Sequence, residues 1–130
     1  MKAEFQCVFV WPRAHGGAPV TSDKLYHYCT WREVKDVVDQ LHAKHPHRRL
    51  YLYAVSLGAC VATHYLINER EATPVKGAVF YAAPLNPSRN SKYFEDSLFG
   101  LYDCILGQSF VDDNREVLEK IVRLSTKEQA

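Results

Sequence analysis

Apolar positions along the chain switch between a sheet-like and a helical period. Phe5-Gln6-Cys7-Val8-Phe9-Val10 is a short β-branched and aromatic run halted by Pro12, which predicts a buried strand over 5–10. Gly16-Gly17 and Pro19 mark 13–22 as a loop. Thr30 with Glu33 has capping-box spacing, and Val34, Val37, Val38 and Leu41 recur at i, i+3, i+4 and i+7 behind it. That pattern predicts a helix ended by Pro46. A second strand follows over 50–55, then a largely apolar helix over 57–68, then a third strand over 75–83 closed by Pro84 and Pro87. From there the pattern is helical: one piece over about 92–106, and another after Asp113, where Glu116 repeats the capping spacing and Val117, Leu118, Ile121 and Val122 form the apolar side.

The order β-α-β-α-β followed by helices predicts an α/β fold with three parallel strands, right-handed crossovers and a helical C-terminal segment. The whole chain, 1–130, reads as one partial domain: a β-α-β-α-β core over 5–84 and a helical, cap-like segment over 88–126. A hydrophobic content of 47% can supply a core, although an open parallel sheet usually needs a longer chain.

Sixteen basic and fifteen acidic residues leave a formal net charge of +1, so electrostatics give no case for nucleic acid or an anionic membrane. The basic knot His45-Pro46-His47-Arg48-Arg49 reads as a solvated loop between a helix and a strand. Cys7, Cys29, Cys60 and Cys104 form no C-x-x-C pair, and Cys7 and Cys60 lie in apolar runs where a thiol packs as a small hydrophobe. Reduced thiols suggest an intracellular setting, cytoplasmic or organellar (mitochondrial included), rather than secretion. No signal peptide is legible at the N-terminus, and no run approaches the ~20 apolar residues that cross a bilayer. Neither metal-ligand spacing nor a phosphate-cradling glycine loop is present, so no cofactor is expected.

The chemistry concentrates at Tyr53-Ala54-Val55-Ser56-Leu57-Gly58-Ala59. A serine between a β-rich run and an apolar helix has the shape of a nucleophile elbow, in which a sharp turn lifts the hydroxyl above a parallel sheet. Small residues two before and two after let strand and helix approach; Gly58 keeps the rear position and Ala54 replaces the front glycine. The competing reading is a serine that merely caps the helix. In hydrolases of this type the acid and the histidine follow the serine, yet the last histidine here is His64, about 12 Å further along the helix by its rise. His15, in the loop after the first predicted strand, is the one histidine with a path to Ser56. Asp103, Asp112 and Asp113 are better explained by helix capping and solvent exposure, and the aromatics Tyr51, Tyr53, Phe80 and Tyr81 by a sheet core.

From about residue 13 to 119 the chain resembles the esterase and lipase branch of the α/β-hydrolase superfamily known as embryogenesis-associated or abhydrolase-domain proteins. The resemblance is carried by Pro12-Arg13 with Gly16-Gly17, Pro19-Val20-Thr21 with Tyr26, Trp31-Arg32-Glu33-Val34, the elbow itself, Tyr65-Leu66, Pro74-Val75-Lys76-Gly77-Ala78-Val79 with Pro84, and Phe99-Gly100-Leu101-Tyr102-Asp103. It implies that the three predicted strands are the family's fourth, fifth and sixth. The third strand, which lies between the fourth and fifth, would be missing with its oxyanion loop, as would the strands presenting acid and histidine. The first two predicted strands should then flank a slot one strand wide, to be filled by another polypeptide or by a missing part of the same protein because unpaired interior backbone is costly. It also implies Ser56 as nucleophile and the Leu57 N–H as an oxyanion donor, with an acyl-ester or lipid ligand. Two functional expectations follow. The favoured one is a catalytically incomplete module retained for its shape within a larger assembly. The alternative is one part of a split serine ester hydrolase whose base, acid and remaining oxyanion donors come from another chain.

Overall fold

The computed structural model describes residues 5–127. Its centre is a βαβ unit. Strand β1 (Leu50–Val55) runs parallel to β2 (Val75–Tyr81), joined by helix α2 (Leu57–Glu69) and a short 3-10 turn, Arg70–Ala72. Helix α1 (Trp31–Lys44) precedes β1 and packs against α2, which in turn lies on β1. The fully buried side chains here are Val61 and Tyr65 of α2, with Val38 of α1 also buried. The Tyr65 hydroxyl lies 2.5 Å from Thr73 Oγ1, and Thr73 Oγ1 also accepts from Val75 N at 3.2 Å. That small network fixes where α2 ends and β2 begins, because a buried phenol needs a partner. Lys35 Nζ, 2.7 Å from Glu69 Oε2, ties α1 to the end of α2.

The sheet has two strands among the described residues, not the three that the pattern predicts. Residues 5–10 carry no regular secondary structure, and Phe9 is 84% exposed. A lone extended run gains no ladder hydrogen bonds, so β-propensity alone does not make it a strand. Among the described residues no strand pairs with 5–10, and β1 has β2 as its sole ladder partner. Cys7, expected to pack as a small hydrophobe, is exposed for the same reason. One face of the two-stranded sheet is open: Tyr51, Tyr53, Val55, Val79 and Tyr81 are exposed there, so Tyr51, Tyr53 and Tyr81 are not core as expected.

Other predicted details shift. The capping box at Thr30 does not form: Thr30 Oγ1 donates to His27 O at 2.7 Å, and the Glu33 carboxylate is taken by Arg13. Arg13 also reaches Ser22 Oγ, so the loop over 13–22 is pinned to the start of α1. Within that loop Gly16 has φ 63°, and a Cβ there would fall 2.6 Å from the Trp11 ring, which accounts for the glycine. Strand β2 ends at Tyr81, two residues early, because Ala82 turns to φ 50°.

The C-terminal part is helical, as expected: α3 (Pro87–Asp96), a 3-10 turn (Ser97–Gly100), α4 (Leu101–Asp113) and α5 (Arg115–Lys127). Asn86 caps α3 by accepting from Arg89 N, with Pro87 at the first helical position. Asp113 belongs to α4 and does not start α5. The buried residue at that corner is Asn114, whose N and Nδ2 both donate to Phe110 O. Val117 is buried beneath it, whereas Val122, expected on the apolar side, is 60% exposed. No helix among the described residues is long and apolar enough to cross a membrane.

Candidate functional site

Ser56 stands between β1 and α2, where the last register pair, Val55 and Tyr81, ends the sheet. Its N–H donates to Tyr81 O at 3.0 Å, which carries the ladder one residue past the strand. The chain then reverses direction at Ser56 itself, with φ 52° and ψ −127°. That region is favoured by glycine and costs other residues about 1–3 kcal/mol, so it persists only where both flanking elements are fixed. They are: β1 by its pairing with β2, and α2 by its buried face.

The serine does not cap the helix. Its side chain makes no capping hydrogen bond, and its backbone is not in the extended region that capping residues adopt. The hydroxyl is on an exposed residue at the carboxyl edge of the parallel sheet. Leu57 is the first residue of α2, where the backbone N–H has no carbonyl partner within the helix. Ala59 N donates back to Ser56 O at 2.9 Å, closing the first turn. Given a base to take its proton, a hydroxyl on an exposed residue next to a backbone N–H without a carbonyl partner can attack a carbonyl carbon while the N–H stabilises the oxygen.

The flanking small residues behave differently from one another. Ala54, in register with Phe80, lies on the covered side of β1. Gly58 has open space where a Cβ would project, so close packing does not demand a glycine there. One turn below Ser56, Cys60 is buried and its Sγ lies 3.2 Å from Pro84 O. Burial pushes this thiol above its ordinary value. Nothing in the spacing of cysteines points to this contact, since the partner is a backbone carbonyl. Tyr26 lies close enough for its phenol to be pushed up, chiefly by burial and then by the negative charge of Glu33 and of a Cys60 thiolate.

Among the described residues no histidine is hydrogen-bonded to the Ser56 hydroxyl. His15 Nδ1 is 2.9 Å from Arg13 O, within its own loop. His64 faces the Tyr28 ring, 6.2 Å between centroids. Asp112 and Asp113 lie at the end of α4; Gln108 and Arg115 hold the Asp112 carboxyl below its usual range, and Ser109 donates to Asp113. A hollow of about 330 Å³ lies at the α4–α5 corner, between Ala14, Val20 and residues 112–119, and another of about 510 Å³ lies along α5. Neither reaches Ser56.

A strand–serine–helix turn of this kind, on a parallel βαβ unit, is where comparison with known proteins is decisive. Residues 14–111 match the family described as serine aminopeptidase, S33, a family of α/β hydrolases. The chain belongs to this family. It is also 31% identical over 78 residues to a monoacylglycerol lipase of Saccharomyces cerevisiae, a stretch that is 60% of this chain and 17% of that protein. The chain thus spans about a sixth of the length of that relative. No solved structure matches. The family match covers the elbow, α2, β2, α3 and most of α4, and it makes the chain a partial α/β-hydrolase domain.

Proposed function

We propose that the chain is the nucleophile-bearing module of a serine hydrolase acting on carboxylic esters of the acylglycerol type. The observation that carries this reading is the backbone of Ser56, held at φ 52° and ψ −127° with an exposed, uncommitted hydroxyl. A capping serine needs no such conformation; a nucleophile that must project above a sheet does. Ser56 Oγ attacks the acyl carbon, the Leu57 N–H donates to the developing oxyanion, the alcohol leaves, and water releases the acyl group from Ser56. The general base and its orienting acid are supplied by polypeptide outside the described residues, either further chain or another subunit. The same polypeptide would cover the open sheet face. The ester class rests on the lipase relative.

A second reading is that the module is non-catalytic and kept for its shape within an assembly. It is favoured by the lack of any described histidine at Ser56 and by the absence of Ser56 from both hollows.

The two readings separate on reaction of the native protein, with whatever co-purifies, with a fluorophosphonate probe. Labelling that disappears in Ser56→Ala, accompanied by fatty-acid release from a monoacylglycerol, is expected for the hydrolase. A folded, assembled chain that never labels would leave the non-catalytic reading standing.

A further inference from the structure

The segment leaving β2 is attached to the elbow at two points. Ser56 N donates to Tyr81 O at 3.0 Å, and one helical turn on, Cys60 Sγ lies 3.2 Å from Pro84 O. Between these points Ala82 takes φ 50°, and Leu85 N closes a tight turn onto Ala83 O at 2.9 Å. Residues 82–85 therefore form a short bracket at the carboxyl edge of the sheet, alongside Ser56. Without the second attachment the bracket is held only through its two chain ends, Tyr81 and the α3 cap Asn86, since Pro84 has no N–H to offer and β2 ends before it.

We propose that Cys60 is a positioning residue for Ser56: its buried S–H donates to Pro84 O and holds the 82–85 bracket against the first turn of α2, fixing the wall beside the nucleophile. This rests on Ser56 being the nucleophile. Cys60 touches neither Ser56 Oγ nor the reacting ester, and it acts only through the bracket. Spacing sets the geometry: residues four apart stack on one helix face, so a donor at 60 reaches the loop that passes beside 56. Burial keeps the thiol protonated, and therefore a donor, at neutral pH. A thiol is a weak donor, yet the carbonyl it meets would otherwise lose a partner in a part-buried position.

The test compares wild type with Cys60→Ala, Cys60→Ser and Val61→Ala in the native assembly. Two readouts are followed, the fluorophosphonate labelling rate per folded molecule and amide exchange at Leu85, the bracket N–H that has a carbonyl partner, Ala83 O. Loss of one such bond predicts labelling slower by about fivefold and comparably faster bracket exchange in Cys60→Ala. Cys60→Ser, which keeps a donor, is expected within about twofold of wild type on both readouts. Val61→Ala opens a cavity in the same buried helix face without touching the bracket, so it lowers the melting temperature and leaves the labelling rate unchanged. Unchanged exchange in Cys60→Ala overturns the proposal, as does a Cys60→Ser variant that behaves like Cys60→Ala. Faster exchange with unchanged labelling also overturns it, because the bracket would then be held without positioning anything. If wild type never labels, the reading of Ser56 as nucleophile fails, and with it a positioning role for Cys60. The exchange data then show separately whether the thiol holds the bracket.

Discussion

Ser56 and Ala82 are neighbours at the top of the sheet, one residue past the register pair Val55–Tyr81, and both have left-handed backbones, φ 52° and 50°. Each carries a Cβ that disfavours this region, and the βαβ frame holds both in place. Ser56→Gly should relieve the elbow's strain while removing the hydroxyl, whereas Ser56→Ala removes the hydroxyl and keeps the strain. The glycine variant is therefore expected to be more stable than the alanine variant by about 1 kcal/mol in urea unfolding. Equal stabilities would mean that the turn relaxes freely and is not imposed by its surroundings.

Gly58 gives the opposite expectation. It sits inside α2 with nothing near a would-be Cβ, so its cost is the ordinary one of glycine in a helix. Gly58→Ala is expected to stabilise the protein by about 0.5–1 kcal/mol. A destabilised Gly58→Ala would show that further polypeptide packs there in the native assembly, so purified chain and assembly should be compared.

The elements that proved legible in the sequence are those whose stabilising contacts lie within the chain. Leu50–Val55 and α2 were readable because the apolar run, the small residues at 54 and 58, and the helix that follows all describe one supersecondary unit. The run over 5–10 has equal β-propensity, but strand formation depends on a neighbour, and none of the described residues provides one. The capping boxes misled because the spacing says nothing of competitors: Arg13, distant in sequence, takes Glu33. Ser56 was visible as a candidate, while the Cys60–Pro84 contact and the turn at Ala82 were not, since both depend on how α2 and the segment leaving β2 meet.

Alkaline pH should destabilise the fold through Lys35 and Tyr65, with the raised Cys60 and Tyr26 acting in the same direction. Lys35, hydrogen-bonded first to Glu69 and then to Asp39, holds its proton well above the usual lysine range. Burial likewise raises the Tyr65 phenol. In both cases the folded state binds the proton more tightly than the unfolded state. The contribution is thus complete below the unfolded pKa, about 10, and is lost as pH climbs through the folded value. The urea midpoint is expected to fall above about pH 10 as these two groups titrate, less steeply in Lys35→Gln and in Tyr65→Phe. At neutral pH Tyr65→Phe should cost about 1 kcal/mol, for the lost bond to Thr73, and the gap to wild type should narrow as pH rises. A parallel fall in all three proteins would assign the alkaline loss to other groups.

The open sheet face makes the last prediction. Tyr53 is 71% exposed and pairs directly with Val79, 60% exposed, with Tyr51, Val55 and Tyr81 around them. Tyr51 lies over Gly77, whose would-be Cβ is 3.4 Å from its ring, so the aromatic surface is continuous across both strands. Contiguous apolar patches of this kind are uncommon on monomers and usually mark an interaction surface. The purified chain is expected to bind a hydrophobic dye and to self-associate. Tyr53→Lys with Val79→Glu places opposite charges on one register pair, worth about 0.2–1 kcal/mol across a sheet. That double variant should lose dye binding and run as a monodisperse species without loss of thermal stability. If it unfolds instead, the face is core in the purified protein, and the two strands are covered by some other part of the molecule.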